Sequence, residues 1–390
     1  MNNLTYIKAA YMFDSMAGMF KKDPIVTVEN DRIINVRLGD SALPAKGKII
    51  ELTGCTLLPG FIDAHDHLAL SPQLKNYPLI MADPDPVLIV RSIVNMKTDL
   101  YAGITTSRCL GDRNFIDLYL KDAVNQGLIE GPRIFTATRG IKASHAHGFV
   151  GTPFDGTEAI RSAVRENLKR GADFIKIFVT GNSRQSEYLP YYLSPQEIHT
   201  AVEEAHRVGK KVATHCIGGE GLNVCIEQGV DIIEHAYYAN DAQIESLLKK
   251  DRWVVLTPRI NFNDARWANV SEKAVNEMKI NRTEVLNSQQ KLLQSGVKLA
   301  IGTDATHGEI VEDVIFVVTT MGETIVRALQ AITKSAAELC ELGHLVGSIT
   351  EGKKADLVAV SGVVEKEIQV LRNVRFVMKD GMPVKNSFYT

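Results

Sequence analysis

Leu58-Pro59-Gly60-Phe61-Ile62-Asp63-Ala64-His65-Asp66-His67 reads as a turn running into a short apolar strand that ends in two histidines one residue apart. Along a strand, residues i and i+2 project to the same side. His65 and His67 can therefore face one point in space. Two imidazoles at a strand end are half of a metal site, and the rest of the chain decides whether the other half exists. Asp66 projects away from that point and is not counted as a ligand.

Before this stretch, short apolar runs alternate with polar turns. Residues 6–11, 24–28, 32–36 and 48–52 look like strands, with Asn30-Asp31 as a turn between two of them. The far end has the same texture: runs at 355–360 and 374–378, then Lys379-Asp380-Gly381 as a turn into 382–384. Two β-rich ends flanking a different middle predict one small β-sandwich domain built from residues 1–57 and 346–390.

Residues 58–345 alternate apolar runs with helix-patterned segments. The runs are 61–68, 105–110, 133–138, 174–180, 211–216, 231–237, 253–260 and 298–304. Helical patterns cover 157–170, 194–208, 221–228, 241–250 and 275–295, and Ser194-Pro195-Gln196-Glu197 carries Ser at the N-cap, Pro at N1 and Glu at N3. A doubly wound open sheet shares this α/β alternation. Eight strands favour a (β/α)8 TIM-type barrel, whose active site lies at the C-terminal strand ends.

Polar residues recur at those ends. Besides His65 and His67 on the first run, the fourth supplies Lys176, the fifth His215, the sixth His235 and the eighth Asp304. Ile175 and Ile177 should pack outward on helices while Lys176 points into the barrel mouth. A lysine inside an apolar strand is costly unless its charge is paired or removed. A neutral amine can add carbon dioxide, which turns a cation into a carbamate able to bridge two metal ions. Imidazole and carboxylate ligands suit zinc. A single strand histidine is usually a hydrogen-bonded core residue, and a lone Asp at a strand end is often a helix cap. Here, however, that reading needs six coincidences, all at predicted strand ends.

The set His65-x-His67, Lys176, His215, His235 and Asp304 resembles the amidohydrolase superfamily in its binuclear, carboxylated-lysine form. The Pro59-Gly60-Phe61-Ile62-Asp63 lead-in and the late Gly347-Ser348-Ile349 to Val358 segment extend the resemblance over nearly the whole chain. The strand-four Gly-Ala-Asp-Phe-Ile-Lys is similar to the prolidase-like, arginine-type dipeptidase and imidazolonepropionase-related branch. The resemblance implies that His65 and His67 bind one divalent ion and that His215 and His235 bind a second. It also implies that Lys176 bridges as a carbamate, and that Asp304 is both a ligand and the general base.

The function expected from this set is hydrolysis of an amide C–N bond of a dipeptide or N-acyl amino acid. A metal-bridging hydroxide would attack, and Asp304 would pass its proton to the leaving nitrogen. His145, after the third strand, is the candidate for steadying the developing oxyanion, with His147 as its competitor. Tyr238 and Arg259 are candidates for gripping a substrate carboxylate, and His307 for lining the pocket. The loop 180–187 and the short loop after Asp304 depart from the dipeptidase pattern. The same two-metal site could instead serve a cyclic amide, lactone or organophosphate hydrolase. Lys176 argues against a one-metal deaminase, and Asp304 against an inactive scaffold.

Composition is that of an ordinary globular protein: 390 residues, 45% hydrophobic and 23% charged. A net charge of −2 gives no electrostatic case for nucleic acid or an anionic membrane, so the expected partner is a small-molecule substrate. Homo-oligomerisation stays open. Five widely spaced cysteines form no CxxC and no even framework, which fits reduced, buried thiols in the cytoplasm. The start of the chain lacks a signal-peptide pattern, and no apolar run approaches a membrane span.

Overall fold

The computed structural model describes residues 4–39, 47–74, 77–148, 150–182, 188–268 and 272–387. The first five strands are β1 (Leu4–Asp14), β2 (Met19–Lys22), β3 (Pro24–Glu29), β4 (Arg32–Leu38) and β5 (Lys48–Pro59). The middle of the chain adds β6 (Phe61–Asp66), β7 (Ile104–Cys109), β8 (Arg133–Thr136), β9 (Gly140–Lys142), β10 (Gly151–Pro153), β11 (Ile175–Phe178), β12 (Val212–Gly218), β13 (Ile232–Tyr238), β14 (Trp253–Leu256) and β15 (Lys298–Ile301). The chain finishes with β16 (Leu357–Ser361), β17 (Val374–Lys379) and β18 (Met382–Asn386).

Both ends of the chain build one eight-stranded sheet in the order β18-β17-β16-β5-β1-β3-β4, with β2 beside β1. Apolar side chains of β1, β3, β4, β5, β16 and β17 gather into one buried cluster that includes Ile7, Val26, Ile33, Leu52, Leu357 and Phe376. Arg133 joins this sheet to the middle of the chain, pairing with Asp356 at 2.6 Å and Asp380 at 2.5 Å.

The middle strands are all parallel. They form a three-stranded sheet, β6-β7-β8, and a seven-stranded one, β10-β9-β11-β12-β13-β14-β15. Eight of these strands fall on the eight predicted runs, and β9 and β10 are extra short strands in the loop after β8. Two backbone bonds span the gaps between the sheets: Asp173 N donates to Thr136 O at 2.8 Å, and Asp304 N donates to His65 O at 2.8 Å. Helices link the strands as the apolar periodicity requires. Thr157–Arg170 matches its predicted span, and Pro195–His206 starts at a capping box formed by Ser194 and Glu197. Ile175 and Ile177 pack with Ile160, Val164, Ile198 and Val202 of those two helices, which turns Lys176 to the other face.

That inner face is layered. Phe174, Ala213, Ile232, Val255 and Ala300 pack together. Two residues further along the same strands come Lys176, His215, Glu234, Thr257 and Gly302. Gly302 is required by space: a Cβ there would lie 2.3 Å from His65 N and 2.5 Å from His65 Cβ. All five cysteines are free and buried, and no helix among the described residues is long and apolar enough to cross a membrane.

Candidate metal centre and active site

His65 and His67 come from the end of β6. Each is held by its Nδ1, His65 against Glu234 Oε2 at 2.8 Å and His67 against Gly111 O at 2.7 Å. His215, on β12, uses Nε2 on Gly181 O at 3.1 Å, and His235, on β13, uses Nδ1 on Thr257 Oγ1 at 2.8 Å. Every imidazole thus has one nitrogen held by an oxygen partner, which leaves its other nitrogen for a metal. This is how metal-binding histidines are usually oriented. The His235 ring lies 4.6 Å from that of His215 and 4.7 Å from that of His65, centroid to centroid.

His235 and Asp304 reach the site through unusual backbone. His235 has φ 75° and Ala236 φ 49°, and Asp304 has φ 52° and Ala305 φ 66°. Non-glycine residues hold such angles only where their surroundings over-determine them, and such residues cluster at functional sites. The kink at His235 breaks strand alternation, so Glu234 and His235 both serve the same region. Ligand atoms of His65, His235 and Asp304 all lie within 4.8 Å of one another. Asp304 Oδ1 is 3.4 Å from His65 Nε2 and 3.7 Å from His67 Nε2, and its Oδ2 is 3.3 Å from Arg266 Nη2.

Charge sorts these groups into states suited to ligation. Burial above all holds the imidazoles of His65, His215 and His235 well below their usual range and brings His67 down to about 4. At neutral pH all four are neutral donors. Burial raises the Asp304 carboxyl, but the Arg266 guanidinium beside it outweighs that and keeps the group ionised. Burial lowers the Lys176 ammonium to about 8. Its Nζ has no hydrogen-bond partner among the described residues and sits 4.9 Å from the centre of the Phe178 ring. An orphaned amine beside four neutral imidazoles and a carboxylate fits the two-ion, carbamate-bridged set chemically.

Beneath His65 lies a layer that the spacing of the sequence did not reveal. Glu234 Oε1 takes Arg108 Nη1 at 2.9 Å, and the same nitrogen donates to Ala64 O at 2.8 Å. Both side chains are fully buried. Each is a charge inside a predicted strand, which was the available signal.

Above the ligands opens a cavity with about 700 Å³ of space, mouth included. His65, His67, His215, His235 and Asp304 line it, as do His147, Tyr237, Asn261, Arg266, Trp267 and the apolar Leu70, Val150, Phe178, Ile260 and Met278. Among the described residues, the other candidates stand off this wall. His145 is exposed, with its ring 5.2 Å from that of Tyr192. Tyr238 is half-buried, and its neighbour Tyr237 is the one that reaches the cavity. Arg259 is paired with Glu309 at 3.0 Å and Asp313 at 3.9 Å. His307 is clamped between Asp99 Oδ2 at 2.8 Å and Leu70 O at 2.9 Å. Asp66 accepts from Ser107 Oγ at 2.6 Å, away from the ligands. Residues 183–187 of the loop after β11 lie outside the described residues. Arg266 and Asn261 carried no signal in the sequence, because neither sits on a strand.

The model of the amidohydrolase family matches residues 56–385. Among curated proteins, ochratoxinase from Aspergillus niger is 26% identical over 356 residues, covering 82% of this chain and 73% of that protein. Imidazolonepropionase from a Geobacillus species is 24% identical, covering 80% and 76%. Among solved structures, a Xaa-Pro dipeptidase with bound methionine superimposes with a TM-score of 0.87 at 26% identity, covering 98% of this chain and all of that one. The A. niger ochratoxinase structure gives 0.86 at 23% identity, covering 99% and 96%. The architecture of this group is a TIM-type barrel with a β-sandwich domain. The chain belongs to the amidohydrolase family, in its prolidase-like and imidazolonepropionase-related branch, and is a hydrolytic enzyme.

Proposed function

We propose that this enzyme cleaves the amide C–N bond of an N-acyl amino acid or dipeptide at a centre of two divalent ions, with zinc the best match to an imidazole and carboxylate set. The observation that carries the reading is Lys176: a fully buried amine, unpartnered among the described residues, beside four neutral imidazoles and an ionised Asp304. Its neutral amine could take up carbon dioxide with release of a proton, and the resulting anionic carbamate would serve the ions as an oxygen ligand. His65, His67, His215, His235 and Asp304 would be the other ligands, the first two histidines serving one ion and the second two the other. The eight parallel strands are read as a closed barrel, supported by the two backbone bonds that span the sheet gaps.

The ions, when bound, supply a Lewis acid for the substrate carbonyl and an acidified water as nucleophile. Asp304 would accept a proton from the attacking water on a carboxylate oxygen and deliver it to the leaving nitrogen. Arg266 keeps Asp304 ionised and aimed. Of the two loop histidines, His147 lines the cavity and is the better candidate for steadying negative charge on the carbonyl oxygen. The apolar wall restricts water around the scissile bond.

The reading is tested by loading the protein with zinc in the presence of bicarbonate and assaying a panel of N-acyl amino acids and dipeptides. Turnover with two ions bound per chain is expected. Protein purified without chelators that holds well under one equivalent of metal, and gains none on loading, would falsify it.

A further inference from the structure

We infer that Arg266 is the residue that selects the substrate, by binding a carboxylate on the leaving-group side of the scissile amide, so that the preferred substrates are N-acyl α-amino acids with an apolar side chain. The inference rests on the amide-hydrolase reading above and deepens it.

The argument begins with placement. Arg266 lines the cavity, yet its side chain is only 4% exposed. Its Nη2 is 3.3 Å from Asp304 Oδ2, and its Nη1 donates to Thr306 Oγ1 at 2.9 Å. A guanidinium has five N–H donors in a planar fork. Two are used here, and Nε–H has no acceptor among the described residues. Asn261, on the same wall and 8% exposed, likewise has an unpartnered Nδ2. Buried donors without acceptors are unfavourable, and two of them on residues that line one cavity point to an anionic or strongly accepting ligand group.

The identity of that group follows from what Asp304 does. In the proposed reaction Asp304 protonates the leaving nitrogen, so it must stand beside that atom. In an N-acyl α-amino acid the carboxylate carbon is two bonds from the same nitrogen. A guanidinium within hydrogen-bonding reach of Asp304 is therefore where an α-carboxylate would arrive, and the fork of arginine matches it bidentately. Ile260, Trp267 and Met278 line the same cavity as Arg266. They offer apolar surface to the side chain of the leaving amino acid. Arg259 and Tyr238 are not needed for this role.

The test uses the metal-loaded enzyme with N-acetyl-L-phenylalanine and N-acetyl-2-phenylethylamine, which differ only in the carboxylate. Calorimetry of L-phenylalanine and 2-phenylethylamine gives a readout independent of turnover. The wild type is expected to favour the carboxylate compound about ten- to a hundredfold in kcat/KM and in affinity. Arg266→Gln should erase that preference in the ratio between the two compounds, whatever it does to the overall rate through Asp304, and Arg266→Lys should keep part of it. A preference that survives Arg266→Gln, or that the wild type never shows, overturns the inference. If Arg266→Gln does not fold, Arg266→Lys decides: an undiminished preference overturns it. Amide hydrolysis without carboxylate preference leaves the proposed function standing and removes this inference. Selective binding of phenylalanine that depends on Arg266, without hydrolysis of any amide, does the reverse.

Discussion

Glu234 Oε2 lies 2.8 Å from His65 Nδ1, while its other oxygen holds Arg108, so a fully buried ion pair stands directly behind one proposed metal ligand. The carboxylate fixes which ring nitrogen of His65 remains for a metal, and Arg108 fixes the carboxylate. Replacing Glu234 by Gln leaves Arg108 buried without a counter-charge. Breaking such a pair costs roughly 3–5 kcal/mol, and loss of an outer-shell partner lowers metal affinity about 10- to 100-fold. Thermal melts and metal analysis of Glu234→Gln should show both losses. Normal metal content and an unchanged melt would remove the positioning role.

Lys176 should make loading depend on carbon dioxide. Apo-protein given zinc in bicarbonate-free buffer is expected to recover little activity, and bicarbonate should restore it. Lys176→Arg, always charged and unable to form a carbamate, should bind fewer ions per chain. Equal recovery with and without bicarbonate would count against the carbamate.

Asp304→Asn keeps the size of the side chain but cannot take a proton. Removing a general base typically costs about 10²–10⁴-fold in rate. Far-ultraviolet circular dichroism should stay native while kcat collapses. Unchanged kcat would end the assignment of Asp304 as base.

His307 gives a pH signature in stability rather than catalysis. Both ring nitrogens face acceptors, Asp99 Oδ2 and Leu70 O, with Asp66 Oδ1 3.7 Å away, so the ring is an imidazolium. Burial lowers it, but the Asp99 and Asp66 carboxylates raise it further, to about 10. A folded value above the unfolded one contributes stability below about pH 6.5, and that stability is lost as pH rises toward 10. Denaturant melts from pH 6 to 10 should show this decline in the wild type and a flatter profile in His307→Asn. Identical profiles would refute the clamp.

Much of the site was legible because it obeys one rule. Lys176, His215 and the His65-x-His67 pair sit where strand alternation and the C-terminal ends of parallel strands put them, and the eight apolar runs located those ends. His235 was found as a strand-end histidine, although its reach into the site depends on a positive φ that no spacing announces. Arg108 and Glu234 are 126 positions apart and meet only in the folded chain, so neither could be paired in advance. The loop elements were the least legible. His145 and His147 are two residues apart in a turn, and which one faces the cavity depends on backbone geometry without a fixed period. Arg266 sits in a four-residue helix, Asp264–Trp267, too short to show an amphipathic pattern.

The shared sheet of the two chain ends imposes an order on biosynthesis. The strand Lys48–Pro59 runs through Gly60 into the strand bearing His65, and its partner along that edge is Leu357–Ser361, some three hundred residues later. On the ribosome the first pair of histidines therefore emerges long before the segment that braces it. Contacts this distant in sequence close slowly and leave strand edges uncovered in the interim. Truncations within residues 357–386 should thus harm the proposed metal site from a distance, through a missing scaffold, and chaperone dependence during synthesis should exceed that of the finished enzyme.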